Sequence, residues 1–518
     1  GHHVACVRIE VAHAACLRSA GFCVCPRPSP GRRPFVAKGV VDMSMRITVA
    51  DLNRPGGGGV TPLPRIHDYR GTSVQVCGLY PFVAGGTPPP VGVPLGRATD
   101  GTGAVCADPI SWFQKGLISA PSAMVLGLNG LGKSSLIRRM VLGAEAFGIH
   151  SMVVGDVKGE YADVIDALGG QIIAIGHGKT GLNPLDGGNA AEAAEMLRAA
   201  GHVREAQEVT EAAHERKKQL VCSLIQIIRR QAPTDREETI VDAAIRVLEE
   251  THAGTPTLAD VLRVVQDGPE QLHAAALDKG KTGEYERLTN DLEASLQALL
   301  MGRFGSLFAA KKTVSMRMDT SVVFDVSSLM YADEDLQAAV LLSCWSYGFA
   351  TVEVTQVLAD TGLIARQRYQ LIMDELWRIL RSSPGMVERV DSLTRLNRTV
   401  GVGQIMITHS VADFQALPSV SDRQKAQGFI ERSKMLFIGG VPPKEVRELR
   451  SVMAFSHREE SLVSSWNAPG EYDPITGGSA APIGRGKFLL KTSDAPAYPF
   501  QVDFTPVEYE LSNTNKRW

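Results

Sequence analysis

Aromatic residues make up only 6% of the 518 positions, and no run of about 18 uninterrupted apolar residues occurs. The first scarcity argues against a nucleic-acid surface built on stacked rings. The second leaves no evident membrane-spanning helix. The nearest candidate, Leu336 to Leu358, is interrupted by Gln337, Ser343, Ser346, Glu353 and Gln356 and reads as a buried domain helix. An excess of one charge is also missing: 54 Lys+Arg against 56 Asp+Glu leaves -2, so no global pull toward nucleic acid or acidic lipid exists. Eight cysteines in a chain of this length do not form a disulfide framework, and reduced thiols are the expectation. The first residues lack the apolar core of a signal peptide.

What is present is a phosphate-binding loop. Gly127-Leu128-Asn129-Gly130-Leu131-Gly132-Lys133-Ser134 fits G-x-x-x-x-G-K-[ST] without a mismatch, with Ser135 following. Glycines let successive N–H groups turn inward on a phosphate chain. Lys133 would set its ammonium against the β- and γ-phosphates, and the Ser134 hydroxyl is the expected Mg2+ ligand. The setting fits. Apolar Ala123-Met124-Val125-Leu126 precedes the loop as a buried strand, and Leu136, Ile137, Met140 and Val141 follow at helical spacing with Arg138 and Arg139 on the other face. The chain is expected to bind a nucleoside triphosphate, ATP, with Mg2+.

Residues 1–45 carry the proline-rich basic run Pro26 to Pro34 and start at Gly1 rather than Met. They read as a disordered leader, with Met43 or Met45 as the natural first residue. Residues 46–92 read as a small β-rich N-terminal remnant. Strands alternating with helices over 93–187 and 301–518 argue an α/β domain with a mainly parallel sheet. Between them, 188–300 turns to Ala, Glu, Arg, Gln and Leu at helical spacing, an all-α insert. Thr234 with Glu237 makes a capping box there, and Thr257 with Asp260 starts another helix.

The second half of the site is Leu371-Ile372-Met373-Asp374-Glu375. A buried strand delivers Asp374 to its carboxyl end, where open parallel sheets place ligands. Asp374 would hold Mg2+ through water, and Glu375 would orient or deprotonate the attacking water, which favours hydrolysis over mere sensing. Thr408-His409 ends the next strand, where His409 could touch the γ-phosphate or the water; the alternative is a capped strand end. An arginine from a neighbouring subunit can accelerate such hydrolysis, and Arg395, Arg398 and Arg432 are candidates, with Arg398 in the turn before that strand.

In this order the pieces resemble the type IV secretion and conjugative-transfer ATPases of the VirB/TraC kind, within the FtsK/HerA superfamily of P-loop motors. The likeness runs from about Val93 to the end. Besides the phosphate loop, it rests on Val93-Pro94-Leu95-Gly96, Asp156-Val157-Lys158-Gly159-Glu160-Tyr161, Asn183-Pro184-Leu185-Asp186, Phe304-Gly305-Ser306-Leu307-Phe308, Phe324-Asp325-Val326 and Met373-Asp374-Glu375-Leu376-Trp377. It implies a RecA-like domain with an all-helical insert, and homo-hexameric rings with ATP between subunits. It also implies a cytoplasmic motor, peripheral at the inner membrane, that serves the proteins of a secretion or conjugation channel. Lys133, Ser134, Asp374 and Glu375 inherit the catalytic roles. This chain departs from the family in carrying His409 where a Gln is usual, and in having only a remnant before Val93.

Two further readings stand beside this one. A DNA-pumping translocase of the FtsK/HerA or coupling-protein kind would use local cations such as Arg229-Arg230 and Lys311-Lys312. A non-hydrolysing nucleotide-binding scaffold would not need Glu375.

Overall fold

The computed structural model describes residues 88–100, 103–311, 313–382, 386–395, 401–417, 419–470, 472–473, 478–479, 481–492 and 497–511. The expected leader, nearly all of the β-rich remnant and Arg398 lie outside the described residues.

The strands are β1 (Pro94–Ala98), β2 (Ala104–Cys106), β3 (Ser122–Leu126), β4 (Ile149–Asp156), β5 (Gln171–Ala174), β6 (Val322–Asp325), β7 (Arg368–Met373), β8 (Val402–Thr408), β9 (Met435–Ile438), β10 (Tyr472–Asp473), β11 (Gly478–Ser479), β12 (Lys487–Lys491) and β13 (Tyr498–Val502). An 11-stranded sheet runs in the order β2-β1-β13-β12-β9-β3-β8-β7-β4-β6-β5. From β9 to β5 every pairing is parallel. The remaining strands extend that core through antiparallel pairings.

The central strands are apolar at nearly every position because both faces of the sheet are covered. Alternate side chains then serve opposite cores. On β3, Met124 and Leu126 point into one cluster, while Ala123 and Val125 point into the other. Leu371 and Met373 against Ile372 repeat the split on β7. The helix Lys133–Ala146 covers the second face with Leu136, Ile137, Met140 and Val141.

The first face is covered by the helix Glu334–Asp360 and by the helical stretch from Ala190 to Phe308, which contributes Leu224, Ile240 and Leu292 to the same cluster as the sheet. Thr234 and Thr257 cap their helices through reciprocal boxes with Glu237 and Asp260. Among the described residues, Glu334–Asp360 alone has the length and apolarity to cross a membrane, and 94% of its most apolar window is buried inside the fold. Its apolar surface is satisfied by the sheet and by the neighbouring helices. Arg138 departs from expectation: it is buried, with its guanidinium bonded to the Glu160 and Leu511 carbonyls rather than on an open helix face.

Candidate active site

Parallel strands bring all their carboxyl ends to one edge of the sheet, and the four relevant strands lie in the order β3-β8-β7-β4. The phosphate loop follows β3, Thr408 and His409 close β8, Asp374 and Glu375 follow β7, and Lys158 follows β4. The loop and the acidic pair therefore flank β8 rather than sitting on paired strands.

The loop enters its helix through Gly132, which caps the helix with φ 97, a left-handed conformation that a side chain would strain. Two glycine turns hold the loop from outside. A Cβ on Gly127 would stand 3.2 Å from the Gly439 backbone, Leu128 N–H donates to Gly440 O at 3.2 Å, and Gly486 N–H donates to Leu131 O at 2.8 Å. Asn129 and Gly130 form the exposed tip, while Ser134 and Ser135 are half-buried in the first helical turn. That turn presents backbone N–H groups with no helical partner, an anion site.

Lys133 is buried, and its ammonium bonds Gly127 O at 2.6 Å, Leu128 O at 3.2 Å and Asn129 Oδ1 at 3.4 Å. Burial pushes its pKa down to about 8, and the nearby charge of Lys158 lowers it further against the opposing pull of Asp374 and Glu375. Lys133, Lys158, Asp374 and Glu375 are thus near enough to influence one another's charge.

Asp374 is buried, and burial raises its carboxyl above the ordinary range, as does the adjoining Glu375. Tyr161 Oη donates to Asp374 Oδ2 at 3.1 Å, and Glu375 N–H donates to Oδ1 at 2.8 Å. Each oxygen keeps a further lone pair. The Asp374 carboxylate and the Ser134 hydroxyl are both hard-oxygen donors, the type that suits Mg2+.

Glu375 is 2% exposed and has φ 54, a strained conformation for a residue with a side chain and one that clusters at functional sites. Trp377 Nε1 donates to its Oε2 at 2.6 Å. Lys158 Nζ stands 2.6 Å from Oε1, and His409 Nε2 lies 3.5 Å from Oε2. Burial would raise this carboxyl, but His409 and Lys158 outweigh it and hold the group well below the usual carboxylate range.

The strand end at β8 divides the two roles expected there. Thr408 Oγ1 donates to Asp413 Oδ2 at 3.0 Å, so the threonine belongs to a capped strand end. His409 instead turns to Glu375 and to the Trp377 ring, 6.5 Å away between centroids.

The arginine candidates fare differently. Arg432 pairs with Asp391, and its carbonyl accepts from Ser122 Oγ at the start of β3, the opposite end of that strand from the phosphate loop. Arg229 bonds Glu237 at 2.7 Å, and Arg230 bonds Asp335 at 3.3 Å. These proposed phosphate contacts already have acidic partners. A cavity of about 440 Å³ lies between the helical stretch, at Arg216 and Gln219, and the helices Glu334–Asp360 and Met386–Arg395, at Leu342 and Glu388, and none of these residues belongs to the phosphate-loop site.

Trp377, Lys158 and Tyr161 were visible only as letters of motifs, and Gly439-Gly440 not at all. The glycine pair directly after the apolar run of β9 was the available signal.

No protein-family model and no curated protein matches the chain. Among solved structures it is similar to VirB4 of Thermoanaerobacter pseudethanolicus, at 19% identity over 82% of this chain and 100% of that one, with TM-score 0.60. The fold is that of VirB4. A second likeness, to the plasmid coupling protein TrwB in complex with the non-hydrolysable GTP analogue GDPNP, has 14% identity over 74% and 86% of the two chains and TM-score 0.46, a similarity of general outline.

Proposed function

We propose that this chain is an ATP-hydrolysing motor subunit that powers conjugative transfer or type IV secretion. The observation that carries the reading is the meeting of Lys133 with Asp374 and Glu375. More than two hundred residues apart in sequence, they come to one carboxyl edge of the sheet and share one electrostatic field. The likeness to the VirB4 fold supplies the type of machine.

In this reading the loop from Gly127 to Ser135 wraps the phosphates, with Asn129, Gly130, Leu131 and Gly132 offering backbone N–H groups. Lys133 exchanges its carbonyl partners for phosphate oxygens. Ser134 and Asp374 hold Mg2+, which when bound neutralises charge on the β- and γ-phosphates. Glu375 orients the attacking water and accepts its proton. His409, beside Glu375, positions that carboxylate. Arg398 is proposed as an arginine offered to a neighbouring subunit in a homo-hexameric ring, acting on the cytoplasmic side of a membrane-bound channel. The helices of 188–300 form an insert within the ATPase domain.

Steady-state turnover of ATP with Mg2+ by the purified chain tests this. Lys133→Ala should abolish turnover while the folded protein keeps its melting temperature, and Glu375→Gln should bind ATP without hydrolysing it. Activity retained in Lys133→Ala would refute the site. Native mass with and without ATP and Mg2+ tests the ring.

A further inference from the structure

Lys158 has no part in the roles assigned above, yet its position is tightly specified. The turn after β4 is tied to the strand end by Asp156, whose Oδ1 accepts from Glu160 N–H at 3.0 Å and Oδ2 from Tyr161 N–H at 2.8 Å. Tyr161 is fastened in turn to Asp374, and the Arg138 guanidinium holds the Glu160 carbonyl. The stem of Lys158 therefore starts from a fixed base, while its side chain remains 31% exposed on the open side of the site.

Its ammonium stands 2.6 Å from Glu375 Oε1, an oxygen given no other partner among the described residues. The other oxygen is properly bonded by Trp377. Glu375 is thus held by a ring fixed in the fold on one side and by a flexible, partly exposed stem on the other. An ion pair to a four-carbon stem is easily exchanged. Lys158 is also near enough to Lys133 for the two positive charges to oppose each other, an arrangement that a multiply charged anion would relieve.

We propose that Lys158 is a γ-phosphate-contacting residue with two positions. It pairs with Glu375 Oε1 when no terminal phosphate is bound, and moves onto a γ-phosphate oxygen when ATP occupies the loop, which frees Oε1 for the attacking water. This rests on the ATPase reading above. A carboxylate neutralised by an ammonium is a poor proton acceptor, so the exchange makes Glu375 competent only when substrate is present. In the reaction, the water oxygen bonds to the γ-phosphorus as the bond from phosphorus to the β–γ bridging oxygen breaks. The electron pair leaves with ADP, and the proton passes through Glu375 Oε1 to the released phosphate. Lys158 transfers no proton.

Equilibrium binding of ADP and of AMP-PNP, each with Mg2+, by the full chain tests the exchange. Lys158→Met should weaken AMP-PNP roughly tenfold while ADP stays within about twofold, and turnover should fall with it. Lys158→Arg should restore part of the preference. Glu375→Gln, which releases the ammonium, should tighten AMP-PNP and not ADP, and adding Lys158→Met should remove that gain. If Lys158→Met does not fold, the Glu375→Gln arm decides alone. Equal losses for both nucleotides, or an unchanged preference in a chain whose wild type hydrolyses ATP, would overturn the exchange and leave the ATPase reading standing. A wild-type chain that binds neither nucleotide would overturn both.

Discussion

Trp377 holds Glu375 by an indole N–H donated at 2.6 Å to Oε2, two residues away across a left-handed turn. The indole is itself clamped, with the guanidinium groups of Arg378 and Arg381 4.8 and 5.0 Å from its ring centre. Arg381 continues to Asp413 at 3.0 Å, the residue that caps β8. Glu375, the proposed general base, is thereby referenced to the neighbouring strand end.

Trp377→Phe keeps a ring for the arginines to cover but removes the donor. A hydrogen bond to a charged group contributes about 1.5–3 kcal/mol, so kcat should fall roughly tenfold or more with KM little changed. Steady-state kinetics against ATP checks this. A variant with wild-type kcat would show that the indole only fills space.

Lys133 sets a pH dependence on nucleotide affinity. Its ordinary pKa of 10.5 is lowered to about 8, chiefly by burial. A bound polyphosphate favours the charged ammonium and raises that pKa. Below about 8 the lysine is already charged and affinity is flat; above it, binding must take up a proton and affinity falls with rising pH. Calorimetry in buffers of different ionisation enthalpy should find almost no proton uptake at about pH 6.5 and substantial uptake at about pH 9. Uptake that does not change between them would place the proton elsewhere.

Both chemical motifs were legible in the sequence because each is local: a glycine loop between an apolar strand and an amphipathic helix, and paired acids after an apolar run. Strand existence was legible for the same reason. Strand neighbours were not, because pairing joins distant segments and leaves no local trace. Nothing in Lys487 to Lys491 says that it lies antiparallel to β9, nor in Val93 to Gly96 that it joins β13. The same limit hid Lys158 from Glu375, and hid Gly439 and Gly440 from the loop they brace. Arg138 misled because helical spacing fixes a face, not what another segment lays over it.

Tyr161 is buried and gives its hydroxyl to Asp374 Oδ2 at 3.1 Å. Through that bond it would orient a proposed Mg2+ ligand. Partners of this kind typically cost 10–100-fold in metal affinity when removed, so Tyr161→Phe should raise the Mg2+ concentration for half-maximal ATPase roughly tenfold. Turnover at saturating Mg2+ should largely return. Persistent loss at high Mg2+ would mean that the tyrosine supports the fold of the turn rather than the ligand.

The helical stretch carries its own pH signature. His214, buried on the helix Val203–Arg229, joins Glu249 at 2.7 Å through Nδ1 and Asp242 at 2.9 Å through Nε2, both from the helix Asp235–Thr251. Lys217 bonds Glu249 and Arg246 bonds Asp242, so the carboxylates stay charged. The hydrogen bond with Glu249 leads the causes that raise the His214 pKa above its ordinary 6.5. A raised folded-state pKa contributes stability that is complete below the unfolded value and is lost as pH climbs through the folded one. The lowered pKa values of Glu249 and Asp242 act only in the acid range and leave this window alone. His214 should therefore make urea midpoints decline as pH rises past the ordinary 6.5, while the depressed pKa of Lys133 adds stability with rising pH above about 8, so the difference between wild type and His214→Gln, which can bond but not titrate, isolates the decline. His150, raised by Glu145, will leave a residual slope. An unchanged slope in His214→Gln would mean that the imidazole is neutral between the two helices throughout.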